Sequence, residues 1–146
     1  SISIQLDAAD RCISPSDFGF HNALLRDTGE ICFIDFEYAG WDDPAKLVSD
    51  FFLQPEVPVS SEYFDDFISE ALDYSKNKAR LAERANILFP VFQIKWYCLM
   101  LNEFLPDAAK RRRFANLEQD SEQRKRLQLE KAQRIFNSPE VGPWHI

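Results

Sequence analysis

The segment NALLRDTGEICFIDF, residues 22–36, constrains this chain more than any other. Two apolar runs flank Asp27-Thr28-Gly29, and a glycine-bearing turn between β-prone runs specifies a hairpin, because glycine accepts the left-handed backbone of a tight turn. A turn centred on Thr28-Gly29 sets Arg26 against Ile31, Leu24 against Phe33 and Asn22 against Asp35. A three-residue turn with a glycine bulge shifts that pairing by one residue. In either register Asn22 and Asp35 arrive at the open end of the hairpin, beside the loop SPSDFG that carries Asp17. An aspartate ending an apolar strand needs a partner, since a buried carboxylate left alone is costly. Three oxygen-bearing side chains, two of them anionic, are thus expected at one mouth.

Around this hairpin the chain reads as α+β. RCISP is a short strand-like run stopped by Pro15, and after GWDDP the apolar period changes from two to that of a helix. Pro44 suits a first helical position, with Leu47, Val48, Phe51 and Phe52 on one side. Ser60 or Ser61 is expected to cap a second helix whose apolar stripe is Phe64, Phe67, Ile68, Ala71 and Leu72. A third helix spans roughly 78–105, apolar nearly all round after Ile87 and therefore expected to be buried, with Trp96-Tyr97 in the core and a kink at Pro90. A fourth runs from about Asp120 to Asn137. The 146 residues make a single domain, 1–146, long enough for a true core.

Charge divides the chain. Residues 1–75 carry 16 acids and 3 bases (net −13), and the remainder 14 bases and 8 acids (net +6), together −7. The acidic half favours a metal ion or a cationic substrate and argues against nucleic acid. The basic run KRRR at 110–113 is interspersed with acids further along and reads as a solvated helix face. No membrane span is expected, because the most apolar stretch, 87–105, holds Gln93, Lys95, Asn102 and Glu103. Three cysteines, Cys12, Cys32 and Cys98, form no CxxC pair and sit among apolar neighbours, which implies reduced core thiols and a cytoplasmic protein. Two histidines without ligand spacing do not make a zinc site.

The chemistry lies with Asp17, Asn22 and Asp35. Mg²⁺ takes oxygen ligands, typically one or two carboxylates with substrate phosphates completing the set. Asn22 and Asp35 are the candidate metal and cofactor ligands, and Asp17 is left to accept a proton from an attacking hydroxyl. D-x-x-x-x-N followed by a strand ending I-D-F is the arrangement of kinases. Glu37, Trp41 and Asp43 are candidate substrate-side residues. Asp43 equally suits the N-cap of the helix after Pro44, and Trp41 suits a core aromatic better than a stacking platform. His21 is expected as a packed loop residue.

Over residues 12–50, SDFGFHNALLRDTGEICFIDFEYAGWDDP resembles the catalytic and metal-binding segment of the aminoglycoside phosphotransferase and choline kinase family, whose fold is protein-kinase-like. The resemblance implies that the chain is a mostly helical C-terminal lobe with a short β-hairpin carrying the site. It implies Asp17 as catalytic aspartate, and Asn22 and Asp35 as ligands of Mg²⁺ bound with ATP. The implied activity is phosphoryl transfer to a hydroxyl of an aminoglycoside-, choline- or sugar-like small molecule. The sequence departs from the family in places. Pro15-Ser16 stands where the family reads His-Gly, Gly19 replaces the basic residue of protein kinases, and Phe36-Glu37 replaces Phe-Gly; the last two point to small-molecule substrates. Only 16 residues precede Asp17, with no lysine or Gly-rich loop, so the N-terminal ATP-binding lobe is expected to be absent and the isolated chain inactive or weakly active. The alternative is a non-catalytic ligand- or partner-binding domain that keeps the fold.

Overall fold

A computed structural model of the chain describes residues 5–105 and 121–137. They form an α+β arrangement, mostly helical, with two small antiparallel sheets. Strand β1 (Cys12–Ser14) pairs with β4 (Gly40–Asp42), matching Cys12 to Asp42, Ile13 to Trp41 and Ser14 to Gly40. Between them in sequence lies the hairpin of β2 (Ala23–Leu25) and β3 (Ile31–Phe33). Its register opposes Ala23 to Phe33 and Leu25 to Ile31. That is the bulged alternative, one residue from the pairing of Asn22 with Asp35. The Arg26 carbonyl accepts from the Gly29 amide at 2.9 Å, and the Arg26 amide donates to the Glu30 carbonyl at 2.9 Å, so three residues make the turn. Gly29 takes φ +85°, the left-handed position such a turn requires.

Helix α1 (Pro44–Leu53) forms the centre of the core. Asp43 caps it, with Oδ1 accepting from the Ala45 amide at 2.9 Å, and Pro44 fills the first helical position. Ala45, Val48, Phe51, Phe52 and Leu53 are all buried. Helix α2 (Phe64–Ala71) contributes Phe64 and Ile68, and is preceded by a 3-10 turn, Ser61–Tyr63, that no side chain caps. It is therefore shorter than its apolar stripe suggests. Aromatic rings fill the space between these helices: Phe51 stacks on Phe67 at 4.3 Å, and Phe64 meets Phe52 and Phe89 edge-on. Such pairs add roughly 0.5–1.5 kcal/mol each beyond area burial.

Helix α3 (Lys78–Leu101) packs along α1 through Leu81, Ala85 and Phe89. The expectation of a helix buried all round is not met. Ile87, Val91, Ile94, Leu99 and Leu101 are exposed, and Trp96 and Tyr97 are half-buried, because among the described residues α1, α2 and the last helix leave part of the helix surface uncovered. Pro90 lies inside the helix and has no N–H for the carbonyl four residues back. Helix α4 (Ser121–Asn137) packs on α3, with Ala132 buried. The cysteines are not core residues: all three are free, Cys12 and Cys32 half-buried and Cys98 exposed. Among the described residues no helix is long and apolar enough to cross a membrane. The KRRR run and the Pro139 and Pro143 tail lie outside the described residues.

At the start of α3 a second polar cluster secures the chain. Buried Asp10 accepts from Ser75 Oγ (3.0 Å) and Asn77 Nδ2 (3.0 Å) and pairs with Arg80, while Tyr74 donates to its carbonyl at 3.0 Å. Hydrogen bonding from Asn77, then from Ser75 and Arg80, outweighs burial and holds the Asp10 carboxyl below its usual value. Burial pushes the Tyr74 phenol up to about 12.

Candidate functional site

The β1–β4 ladder brings the residues after Ser14 beside the start of α1. Ser16 has φ +74°, and Lys46 Nζ donates to its carbonyl at 2.9 Å. Asp17 follows with its side chain more than half exposed. Phe18 turns the other way into the core, its ring 4.7 Å from Phe33 and 5.2 Å from Phe51. Gly19 passes where no side chain fits. A Cβ there would lie 2.7 Å from Gln54 Cγ and 2.8 Å from His21 Nδ1. A 3-10 turn, Phe20–Asn22, then closes the loop, and Asn22 Nδ2 donates to the Asp17 carbonyl at 2.9 Å.

From that turn the hairpin departs. The Ile34 amide donates to the Asn22 carbonyl at 2.9 Å, which sets Asp35 at the same open end despite the shifted register. Asp35 is exposed with φ +64°. Among the described residues Ser16 and Asp35 are the two non-glycine positions with positive φ. Left-handed backbone costs such residues about 1 kcal/mol or more, least for aspartate and asparagine, and it concentrates where a site dictates the chain path. Asn22 is thus bonded to Asp17 through its side chain and to Ile34, the residue before Asp35, through its backbone. Because the amide nitrogen of Asn22 is committed to Asp17, its side-chain oxygen and the exposed Asp35 carboxylate are the oxygen atoms left available at this end of the hairpin. Both are hard oxygen donors, the chemical type that Mg²⁺ takes. No group of three or more His, Cys, Asp or Glu side chains among the described residues could hold a metal alone.

Asp17 opens onto a cleft of about 220 Å³ lined also by His21, Gln54, Glu56, Trp96 and Met100. His21 Nε2 lies 3.2 Å from Asp17 Oδ1, and its Nδ1 is buried without a hydrogen-bond partner. The histidine is mostly buried, as expected of a packed loop residue, yet it also borders the carboxylate. Gln54 is held by bonds to the backbone at 56 and 57, and Lys131 reaches Glu56 from α4.

The remaining candidates lie elsewhere. Asp43 is spent on the fold. Besides capping α1, its Oδ2 accepts from Arg84 Nε at 2.9 Å and Nη2 at 2.7 Å, which leaves the N-cap as the role the geometry supports. Glu37 is exposed in a turn closed by the Ala39 amide and the Phe36 carbonyl at 3.0 Å. Trp41 is no core aromatic. It is 69% exposed and opposes Ile13, itself exposed, on the outer face of the β1–β4 ladder, because strand side chains alternate between faces.

Beneath the loop is a charged hub that the apolar reading of α1 passed over. Lys46 Nζ lies 3.0 Å from Asp42 and 2.9 Å from Asp50, and Asp50, 1% exposed, also takes Lys95 Nζ (3.2 Å) and the Trp96 indole N–H (2.9 Å). Burial opposes the charge on Lys46, but hydrogen bonds from it to Asp50 and Asp42 prevail and keep its pKa above the usual value. The available signal was the acid–base–acid spacing of four at 42, 46 and 50, which sets Lys46 and Asp50 on one side of α1 and Asp42 just before its start. Trp96 likewise serves both the hub and the cleft, a double role that its apolar helix concealed. No family model, curated protein or solved structure matches this chain.

Proposed function

We propose that the chain is the C-terminal lobe of a small-molecule kinase with a protein-kinase-like fold, working with Mg²⁺ and ATP and acting in the cytoplasm. The observation that carries the reading is the closed loop in which Asn22 holds the Asp17 carbonyl while its own carbonyl receives the strand leading into Asp35. The left-handed Ser16 supports it, because it stands where the resembling family has glycine, the residue best suited to that φ. Mg²⁺ with ATP would supply the phosphoryl group and neutralise its developing charge. In this chain Asn22 and Asp35 would hold the ion. Asp17 would orient a substrate hydroxyl entering the 220 Å³ cleft and take its proton as the oxygen bonds to the γ-phosphorus and the bond to ADP breaks. Trp96 and Met100 would form an apolar wall of the acceptor site, and the acidic first half suits a cationic acceptor.

The test is Mg²⁺-dependent transfer from ATP to a panel of aminoglycosides, choline and sugars, using the longest protein that the reading frame encodes. Asp17→Asn should lower transfer by about 10²–10⁴-fold, the span of general-base catalysis. Transfer that persists undiminished in that variant refutes the assignment. Ligand binding unaltered by the substitution, with no transfer by either protein, favours the non-catalytic binding domain.

A further inference from the structure

A second cavity lies on the other side of the candidate loop and shares no lining residue with the Asp17 cleft. Phe20 and Phe51 line it together with Tyr63, Asp66, Phe67 and Glu70, whose spacing places them on successive turns of α2 and the 3-10 turn before it. The strap of residues 58–60 completes it, and the volume is about 580 Å³. Pockets of roughly 300–1,000 Å³ hold small organic ligands.

Two features set the chemistry of the occupant. Four of the nine lining residues are aromatic, and the groove is accessible: Phe20 is 36% and Tyr63 56% exposed. The charged groups at the groove are Asp66 and Glu70, both exposed and neither paired with a basic side chain among the described residues. Their surroundings reinforce the sign, since residues 47–75 contain seven acids and no lysine or arginine. Aromatic faces attract cations as well as apolar bodies, and carboxylates at the rim repel anions.

We infer that this groove binds an amphiphilic organic cation, an aryl- or alkylammonium whose apolar body lies against Phe20, Phe51 and Phe67 while its ammonium meets Asp66 and Glu70. The site stands apart from phosphoryl transfer, and its test needs neither Mg²⁺ nor ATP. Amide NMR shifts of the 146-residue chain are followed during titration with phenethylammonium and, separately, with neutral phenethyl alcohol. The ammonium should shift Phe20 and residues 58–70 and bind about three- to tenfold more tightly than the alcohol. Added salt should erode that preference. The double variant Asp66→Asn/Glu70→Gln should abolish it with helix content unchanged, both carboxylates being exposed. Tyr63→Ala should weaken both probes. Equal affinity for the two probes, a preference that survives the charge variant, shifts centred on Asp17 and Trp96, or no binding of either probe would each overturn the inference.

Discussion

Asp50→Asn removes the charge at the centre of the hub while keeping its size and an acceptor for the Trp96 indole. In the native chain the carboxylate is 1% exposed and faces Lys46 at 2.9 Å and Lys95 at 3.2 Å. At an effective dielectric of 20 the nearer pair alone is worth about 6 kcal/mol of Coulomb energy, most of it offset by desolvation. Breaking one side of a buried pair costs about 3–5 kcal/mol. Lys46 retains Asp42 and the Ser16 carbonyl, and Lys95 is 39% exposed and can rehydrate, so the low end, about 3 kcal/mol, applies here. For a chain of this length that corresponds to a fall in Tm of about 10 °C. Urea denaturation followed by circular dichroism measures the loss, and a cycle with Lys46→Met isolates the pair. The double variant should recover about 1–3 kcal/mol relative to the sum of the single ones. A loss below about 1 kcal/mol, or strict additivity in the cycle, would show that the hub does not support the loop as argued.

Three further outcomes follow from the same geometry. Gly19→Ala sets a Cβ against Gln54 Cγ and His21 Nδ1 and should cost about 1–3 kcal/mol and separate His21 from Asp17, seen as changed NMR shifts of the His21 ring protons; an unchanged Tm and unchanged ring shifts would contradict the close approach. Because the folded pKa of Asp10 is depressed, its contribution is present above the unfolded value, about 3.9, and is lost as pH falls through the lowered folded one. The stability gap between the native chain and Asp10→Asn should therefore close on acidification, and a gap independent of pH down to about 2 would refute the assignment. Burial, with Asp42 nearby, pushes the Cys12 thiol up to about 11, so iodoacetamide at neutral pH should label exposed Cys98 well before Cys12, read by mass spectrometry of timed digests.

Local signals in the sequence carried much of this architecture. The hairpin, the N-cap at Asp43 with Pro44 behind it, and the four helices all follow from turn chemistry and apolar period. The hairpin register turned on whether Gly29 sat in a two-residue or a bulged turn, a choice that flanking residues do not encode. Helix α3 misled because an apolar surface reports a preference for burial and not the presence of a neighbour to provide it. The β1–β4 ladder joins three-residue strands far apart in sequence, and only tertiary packing aligns them. At the candidate site, Asp17, Asn22 and Asp35 were legible as residues out of place. Their supports, Lys46, Asp50 and Gln54, were not, because a buried polar group on an amphipathic helix declares itself only through its partners.

Phe18 ties the fate of the candidate loop to that of the whole domain. Its ring shares a cluster with Phe33, Phe51 and Phe67, while the Asp17 side chain beside it faces outward. The loop cannot open locally without withdrawing that ring from the core. Residues 17–22 thus belong to the same cooperative unit as α1, and the Asn22 amide, which donates to the Gly19 carbonyl at 3.0 Å, should exchange hydrogen at a rate set by unfolding of that unit and not by loop fraying. A sequence change in α2 that loosens Phe67 would reach Asp17 through the Phe67–Phe51 and Phe51–Phe18 contacts, so the distant helices can drift only as far as the loop tolerates.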